Sequence, residues 1–553
     1  MTALRGVIDS AYALKGETPI FTADDAYTAL TVKDTTKNYV LKRDIDMSEK
    51  DFSAEITNYY NHIDGNGYAL TGIACGQNYF IRNVYGSFEN IKFYVSGNQK
   101  DGAYTTSSYE LVRNLFNGSS FENVYVSMTS DLSTATKATA YITFANQATE
   151  TGTTSLENVI VQATYTNAPA NVTACRTYLL GHWEKTTVNI TNCYVIGGNS
   201  GAIIETRYNP KATLTIKNGE DDALISGETG TVQYGGQYAF ANMDAFYRSE
   251  YIHSFTADMW KDIVKKSADY YTTYFAGYTA ISTAEQLATA LVSGSRTKYY
   301  LANDIDMTGV SLSSNGAQFG GMLDGDGHKV TGIRYTSKAF IGYVEYNAGV
   351  GITTSFKNIA FYATKVATTG NTEFGFINVM QSNALENVYI DLTIDASNEA
   401  ITITGGIFNQ TNGGPKIFLN NVVGNLHFVN CENATVGNIG LLYILSGGAT
   451  QVTMNNAYLA GIEYKENVSA SAYLVRLFSS TSNTAEHFYA ITNGSDETIK
   501  EVKTTVSGYP GPSVLTAKQY CYKDLSAFEQ SAYKAYIKGG AHLWYNVFNV
   551  WNA

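Results

Sequence analysis

The sequence predicts an all-β protein built from two tandem parallel β-solenoid domains with short helical caps. Three observations support this prediction: a composition suited to strands, a long internal duplication, and a short repeat inside each half. Tyrosine is abundant at 43 residues and proline is rare at 6, and aromatic residues favour strands. The 553 residues are 44% hydrophobic, which is enough to fill the cores of two domains.

A long duplication predicts two lobes of the same fold. The segment YVLKRDIDM at 39–47 returns as YYLANDIDM at 299–307, an offset of 260 residues. With the same offset, HIDGNGYALTGI at 62–73 returns as MLDGDGHKVTGI at 322–333. We therefore expect, in chain order, an N-terminal anchoring arm at 1–18, a first solenoid lobe at 19–276 and a second solenoid lobe at 277–553.

Each lobe is expected to carry its own caps, because the open ends of a solenoid expose strand edges that favour aggregation. FTADDAYTAL at 21–30 and STAEQLATAL at 282–291 predict the helices that open the lobes. The segments 243–270 and 516–538 are expected to close them, each with one aromatic residue that fills the end of the core. Our alignment of the closing segments pairs Phe255 with Phe528, the core-filling Trp260 with Tyr533, and Lys261 with Lys534.

A short repeat lies inside each lobe. SFENIKFYV at 87–95, SFENVYVSM at 120–128 and SLENVIVQA at 155–163 share one pattern, in which an asparagine interrupts the apolar positions. In a parallel coil, equal positions of successive repeats lie about 4.8 Å apart. Stacked asparagines can therefore hydrogen-bond along a column, which satisfies their amides. The predicted ladder comprises Asn90, Asn123, Asn158 and Asn192, then Asn358, Asn387, Asn421 and Asn456.

The order of these motifs resembles that of the GLUG-type right-handed parallel β-helix repeat proteins, which include bacterial surface adhesins and phage tail or fibre proteins. The shared order is a short helix, L-x-x-DIDM, (I/L)DG(N/D)G-x-x-(L/V)TGI, a FIGxV strand and F-x-N-(I/V). The resemblance covers about 20–270 and 280–550, and it implies a right-handed solenoid that serves in adhesion or surface display. Two features depart from the pattern: the glycine signature is loose in RTYLLGHW, and the first residues lack an export signal.

The first residues predict an arm that anchors the chain in an assembly. LRGVI at 4–8 and LKG at 14–16 repeat at a spacing of ten, and they resemble the short L-x-G-x-I arms that open some phage tail and baseplate proteins. Such an arm can bury its apolar positions against the sheet edge of a partner. An ordinary flexible leader is the alternative interpretation. The predicted anchoring residues are Leu4, Gly6, Ile8, Leu14 and Gly16.

Charge and cysteine content argue against several classes of partner. The formal net charge is −12 and no Lys/Arg-rich run occurs, so neither nucleic acid nor an anionic membrane is an expected partner. No apolar run approaches the ~20 residues of a membrane span, so no membrane insertion is expected. The cysteines are odd in number and lack a CxxC pair, so we expect small buried side chains. They are Cys75, Cys175, Cys193, Cys431 and Cys521.

Acidic residues are the candidates for catalysis and for metal binding. Glycoside hydrolysis needs two carboxylates about 5–9.5 Å apart, but the acids of the repeated motifs recur in both lobes and suit tight turns. Asp324-Gly325-Asp326 is similar to part of a calcium loop, yet the later bidentate glutamate is missing. We therefore expect no catalytic residue, no metal site and no cofactor. The acids considered are Asp44, Asp46, Asp64, Asp304, Asp306, Asp324 and Asp326.

Taken together, these features predict a non-enzymatic structural protein on the exterior of a bacteriophage virion: a fibre, a spike, or a capsid- or tail-attached decoration protein. The N-terminal arm would contact other virion proteins. The lobes are expected to bind host-surface polysaccharide, because tyrosine and asparagine suit the stacking and hydrogen bonding of sugars. A second copy of the chain is a further expected partner. A bacterial cell-surface adhesin and a polysaccharide-degrading β-helix enzyme are the alternatives.

Overall fold

The structure is a computed structural model, and it divides into two compact units. The first unit comprises Met1–Tyr247 and Tyr251–Ala268, and the second comprises Arg248–Glu250 and Asp269–Ala553. The division lies near residue 268, earlier in the chain than the expected 276. The residues that the structure describes are 16–98, 107–183, 186–205, 213–219, 221–226, 234–255, 257–292, 296–312, 317–344, 354–370, 372–381, 383–411, 416–445, 451–465, 468–469, 472–477, 487–496, 499–503, 514–537 and 543–548.

In the first unit, two sheets enclose one hydrophobic core. Its strands are β1 (Glu17–Ile20), β2 (Asn38–Leu41), β3 (Ile45–Asp46), β4 (Ile56–Tyr59), β5 (His62–Asp64), β6 (Ala69–Cys75), β7 (Tyr79–Val84), β8 (Ser87–Asn98), β9 (Ser107–Leu115), β10 (Ser120–Asp131), β11 (Thr139–Ala148), β12 (Gly152–Thr166), β13 (Ala174–Trp183), β14 (Thr186–Thr191), β15 (Tyr194–Ile196), β16 (Ser200–Ile204), β17 (Thr213–Asn218), β18 (Asp221–Ser226) and β19 (Ala239–Phe240). Sheet 1 has the main order β1-β2-β5-β8-β10-β12-β14-β17-β18, and sheet 2 has the order β16-β13-β11-β9-β7-β4.

The second unit repeats this arrangement around its own core. Its strands are β20 (Thr279–Ile281), β21 (Lys298–Leu301), β22 (Ile305–Asp306), β23 (Ala317–Phe319), β24 (Met322–Asp324), β25 (Lys329–Tyr335), β26 (Ile341–Val344), β27 (Thr354–Val366), β28 (Glu373–Phe374), β29 (Ile377–Met380), β30 (Ala384–Asp395), β31 (Thr402–Thr411), β32 (Lys416–Val429), β33 (Thr435–Leu445), β34 (Gln451–Ala460), β35 (Glu463–Lys465), β36 (Val468–Ser469), β37 (Ala472–Leu477), β38 (His487–Thr492), β39 (Ile499–Lys503) and β40 (Val514–Thr516). Sheet 3 has the main order β20-β21-β24-β27-β30-β32-β34-β38-β39, and sheet 4 has the order β23-β26-β29-β31-β33-β37-β40.

The strand pairing confirms the predicted parallel β-solenoid. In sheet 1, Phe88 pairs with Phe121 and Phe121 pairs with Leu156, so equal positions of successive repeats lie side by side. The chain alternates between the two sheets of each unit, and inward side chains from both sheets meet in the core. Phe88 and Phe121 are almost completely buried, and burial of such a side chain contributes about 1.5–3 kcal/mol. One coil cannot bury its apolar side alone, so stability comes from stacking.

Short helices open and close the units, as expected. They are α1 (Ala23–Thr31), α2 (Met243–Tyr247), α3 (Tyr270–Tyr274), α4 (Ala284–Val292), α5 (Leu525–Glu529) and α6 (Leu543–Phe548). At the start of α1, the Asp25 N–H donates to the Thr22 hydroxyl oxygen over 3.2 Å, and the Asp25 carboxylate accepts the Thr22 N–H over 3.0 Å. Thr283 and Gln286 make the same two bonds at α4. These reciprocal caps fix the residue at which each helix begins.

The DIDM and TGI motifs form one structure shared by neighbouring coils. Asp46 accepts the Ser48 N–H over 2.9 Å and thereby closes the turn that follows DIDM. Gly72 of the next coil has a φ of +66°, and a Cβ atom there would lie 2.6 Å from the Asp46 carboxylate. The same Cβ at Gly332 would lie 2.3 Å from Asp306. The glycine is therefore required by both its backbone conformation and its close contact with the aspartate.

The closing segments end the cores through tyrosines that share one carboxylate. In the first unit, the Tyr251 hydroxyl donates to Asp221 over 3.0 Å. In the second unit, the Tyr533 hydroxyl donates to Asp496 over 2.8 Å. Each acid also accepts a second tyrosine hydroxyl, from Tyr238 over 3.1 Å in the first unit. Because the two clusters match, these contacts define which residues of the closing segments are equivalent.

The alignment of the closing segments from sequence is therefore wrong. Tyr251, and not Trp260, is the counterpart of Tyr533, and Phe246, and not Phe255, is the counterpart of Phe528. The pairing of Lys261 with Lys534 fails for the same reason. Trp260 does fill the first core, with 2% of its surface exposed. The error lay in the offset of 273 residues that these pairs imply, because at an offset of 282 residues Tyr238, Phe246 and Tyr251 meet identical residues of the second unit.

Candidate ligand-binding face

The eight asparagines of the predicted ladder form two columns of hydrogen-bonded amides. In the first unit, the Asn123 amide donates to the Asn90 carbonyl oxygen over 3.0 Å, and the Asn158 amide donates to Asn123 over 3.0 Å. Asn192 donates to Asn158 over 3.2 Å. The matching column of the second unit has bonds of 2.9 to 3.1 Å and comprises Asn358, Asn387, Asn421 and Asn456.

Both columns end on a carboxylate at the side to which the amides donate. The Asn90 amide donates to Asp64 over 3.2 Å, and the Asn358 amide donates to Asp324 over 3.0 Å. Every ladder asparagine also has a left-handed backbone, with φ between 49° and 53°. Asparagine tolerates this conformation better than other residues with a Cβ atom. The sequence pattern indicated the amide contacts, but it did not indicate the left-handed turn.

Two buried asparagines extend this system and were missed by the sequence analysis. Asn218 donates to the Cys193 carbonyl over 2.8 Å and accepts the Cys193 N–H over 3.0 Å. Asn493 makes the same pair of bonds with Ala457 in the second unit. Both lie on the last coil of their unit, one residue before a glycine with positive φ. Their sequences, IKNG and ITNG, were the available signal.

The acids shared by both units serve the turns of the solenoid. Asp64 accepts the Asn66 N–H over 2.7 Å, and Asp44 accepts the Ala69 N–H over 2.9 Å. In the second unit, Asp304 accepts the Lys329 N–H over 3.2 Å. The Asp46 and Asp306 carboxylates each accept the N–H two residues later. These local bonds give the repeated acids a structural role in both units.

Asp324 and Asp326 bind an arginine in the structure. The Arg248 guanidinium lies 2.7 Å from the Asp326 carboxylate, which also accepts the Tyr270 hydroxyl over 2.6 Å. The Asp326 side chain is completely buried, and burial raises the pKa of Asp324. Asn66, the counterpart of Asp326, is exposed. Within the described ranges, no group of three or more His, Cys, Asp or Glu side chains could hold a metal ion.

The five cysteines are free thiols. Cys75, Cys193 and Cys431 are buried, whereas Cys175 and Cys521 are partly buried. Burial raises the pKa of Cys75 and of Cys193 to about 12. A thiol that stays protonated is a poor nucleophile, so these two side chains act as small apolar residues of the core.

The two units differ on the outer face of their long-strand sheets. In sheet 1, Tyr94 pairs with Ser127 and Ser127 pairs with Gln162, each four residues after a ladder asparagine. Sheet 3 has Tyr362 at the position of Tyr94. On the next strands of sheet 3, however, the equivalent positions carry residues that differ from those of sheet 1. The second unit has Asp391 in place of Ser127, Asn425 in place of Gln162 and His427 in place of Thr164.

These substitutions create a connected polar cluster in the second unit. The Asp391 carboxylate accepts the Tyr389 hydroxyl over 2.8 Å and the Asn425 amide over 2.9 Å. His427 lies 3.1 Å from the same carboxylate, and its hydrogen bond to Asp391 raises the pKa of the imidazole. The helix α6 packs against β27 and β30, and Tyr389 is only 1% exposed. Tyr389 lies two residues before Asp391 on the same face of β30, so its buried hydroxyl holds the Asp391 carboxylate in place from the side.

Two adjoining grooves lie beside this cluster. One has a volume of about 440 Å³ and is lined by Arg334, Tyr362, Asp391 and threonines of β27 and β30. The other has a volume of about 500 Å³ and is lined in part by Val310 and Phe340. Arg334 belongs to both grooves. Volumes of this size, with a few convergent polar groups, are typical of small-molecule sites.

The predicted anchoring residues lie mostly outside the described part of the chain. Leu4, Gly6, Ile8 and Leu14 are among the residues that are not described, so the arm stays a prediction. Gly16 is described: its φ is +72°, and its carbonyl accepts the Asn38 amide over 3.4 Å.

Comparison with protein families, with curated proteins and with solved structures gave no match for this chain. In the described residues, no helix is long and apolar enough to cross a membrane. The assignment of function therefore depends on the residues of the chain itself.

Proposed function

We propose that this chain is a non-enzymatic structural protein of a bacteriophage virion, a fibre, a spike or a decoration protein, that binds glycan of the host surface. One observation carries the proposal. The residues kept in both units build the frame, whereas the outer face of sheet 3 replaces Ser127 and Thr164 of sheet 1 by Asp391 and His427. A constant frame with a divergent outer face suits display and binding. The GLUG-type motif order and the N-terminal arm favour the virion.

The location is tested by mass spectrometry of purified virions from the phage that encodes this chain. We expect the protein in stoichiometric amounts in the particles. If the protein is found on bacterial cells and is absent from the particles, the proposed virion location is contradicted and a cell-surface adhesin is favoured. Binding is tested separately, with purified full-length chain on intact host cells and on cells stripped of surface polysaccharide, where a loss of binding is expected.

A polysaccharide-degrading enzyme is the second candidate, because His427 lies 3.1 Å from Asp391 beside an open groove. Glycoside hydrolases act through a pair of placed carboxylates, whereas Asp391 is the one carboxylate among the described residues that line this groove. The test is release of reducing ends from host polysaccharide, followed over many hours with a high concentration of protein. The proposed function expects none. Release that is abolished by Asp391→Asn would establish the enzyme instead.

A further inference from the structure

The groove beside Asp391 combines the groups that a sugar ring requires. Tyr362 offers an aromatic side chain, and its ring lies 5.8 Å from that of Tyr389. Asp391 can accept hydroxyl hydrogens, Arg334 can donate to oxygens, and Thr393 can do both. These groups lie on neighbouring strands of a rigid sheet, so little ordering is needed when a ligand binds.

The Asp391 carboxylate is preorganised by its own neighbours. Tyr389 and Asn425 both donate to it, and both side chains are buried at 1% and 2% exposure. The Asn425 amide nitrogen also lies 3.2 Å from the Tyr389 hydroxyl oxygen and 2.8 Å from His427 Nε2, so Asn425 joins the members of the cluster. Holding the Asn425 amide toward Asp391 fixes the carboxylate for a ligand.

The charged residues that line the groove are one cation, Arg334, and one anion, Asp391, and this balance favours a neutral ligand. Arg334 lies 3.6 Å from Asp395, and His427 lies 3.1 Å from Asp391. A polyanionic glycan would meet these two carboxylates in a chain whose net charge is −12. An uncharged, polyhydroxylated ring uses the same donors and acceptors without such repulsion.

We propose that this groove of the second unit binds a neutral sugar residue of the host glycan, with Asp391 and Arg334 as its hydrogen-bonding groups and Tyr362 as its stacking surface. The adjoining groove, with Val310 and Phe340, receives the next sugar of the same glycan. This inference rests on the proposed glycan binding, and it assigns that binding to one site and to one class of sugar.

The test uses the full chain on an array of neutral and uronate-containing oligosaccharides, followed by calorimetric titration of the strongest neutral binder. We expect Asp391→Asn, Arg334→Gln and Tyr362→Ala each to weaken binding about tenfold or more, since each removes a direct contact. Tyr94→Ala is the matched control, because Tyr94 occupies the same register in sheet 1 and contacts Tyr125 at the same ring distance of 5.8 Å. It should leave binding unchanged.

The possible outcomes separate this inference from the proposed function. Binding of neutral oligosaccharide that is lost in the three variants supports the site. Wild-type binding that survives all three, or binding restricted to uronate-containing glycans, overturns the site but leaves glycan binding in place. No binding by the wild-type chain contradicts the proposed function itself. Because Arg334 is 62% exposed, Arg334→Gln is expected to fold normally, so a loss of binding there reports on the ligand.

Discussion

The ladder asparagines combine two roles in one side chain. Each amide donates to the coil before it and accepts from the coil after it, so the amides of one column all point the same way. Each backbone also turns through the left-handed region at that position. Asparagine meets both requirements, because a glycine would lack the amide and most other residues would be strained.

Substitution can separate these two roles. We expect Asn123→Ala or Asn421→Ala to lower the free energy of unfolding by about 1–3 kcal/mol, because neighbouring amides lose partners and alanine adds strain at positive φ. Asn123→Gly should relieve the strain and retain the loss of hydrogen bonds. Asn66→Ala is the control, since Asn66 is exposed and has a φ of +49°. If denaturant titrations show equal losses of unfolding free energy for the Asn123 and Asn66 variants, the contribution of the ladder to stability is refuted.

The buried pair of Arg248 and Asp326 makes a second prediction at this scale. Arg248→Met should destabilise the protein by about 3–5 kcal/mol, because it leaves the completely buried Asp326 carboxylate without its cation. Adding Asp326→Asn should recover much of that loss, since asparagine is neutral and accepts the left-handed φ of +50°. Thermal unfolding of the two variants checks this. A double variant no more stable than Arg248→Met would contradict the explanation.

Lys365 gives a prediction of pH dependence. The side chain is buried, its ammonium donates to the Thr336 carbonyl over 2.6 Å, and burial lowers its pKa to about 8. The unfolded chain holds this proton up to its usual value near 10.5, so the contribution of Lys365 to stability rises as pH increases from about 8 to 10. In Lys365→Met this rise should disappear. Identical slopes of stability against pH in the two proteins would disprove the shift.

The residues of the candidate site show where the sequence was informative. The ladder could be predicted because eight copies of one letter at regular spacing have a simple physical cause. Asp391 and His427 could not be predicted, because each residue type occurs at its repeat position in one coil and neither belongs to a known catalytic or binding motif. The signal was their difference from Ser127 and Thr164, and that difference acquires meaning only when strand register aligns the two units.

At the scale of elements, the closing segment of the second unit covers the end of the core at β34. Tyr458 on β34 is packed by Phe528 of α5 and by Tyr520, Tyr522 and Tyr533. We expect Phe528→Ala to cost about 3–5 kcal/mol, since the side chain is completely buried, and to promote aggregation through the exposed end of the solenoid. Tyr536→Ala, at a residue that is 40% exposed, is the control. Light scattering and denaturant titration measure the two effects.

The opening helices and the strands were predicted correctly, whereas the closing segments were aligned at the wrong offset. Helix α1 and helix α4 carry a capping sequence followed by a periodic apolar side, which is a local signal. The closing segments are short turns of helix that pack against Tyr194 of β15 and Tyr458 of β34. The sequence did hold a signal for their equivalence, since Tyr238, Phe246 and Tyr251 each recur 282 residues later, but an offset of 273 placed Trp260 opposite Tyr533 in error.

At the scale of the molecule, duplication explains how one frame can carry a specialised face. Each unit has its own core, opening helix and closing segment, so changes on the outer face of sheet 3 leave the stacking of coils intact. Solenoids tolerate such changes because each coil contacts mainly its neighbours. The divergence at Asp391, Asn425 and His427 therefore alters what the surface can bind with little effect on the fold.

The proposed anchoring arm makes the last prediction. Sheet 1 begins at Glu17, so deletion of residues 1–15 removes no described strand and should change the melting temperature by only a few degrees. The same deletion should abolish incorporation into virions, because the apolar residues of LRGVI and LKG would be buried against a partner. Leu4→Asp with Ile8→Asp should act likewise, since a charge buried at such an edge is costly. Glu17→Gln, beside the arm, is the control. Normal assembly of the truncated protein would show that residues 1–15 are a leader without an anchoring role. A bacterial cell-surface adhesin would then be the preferred function.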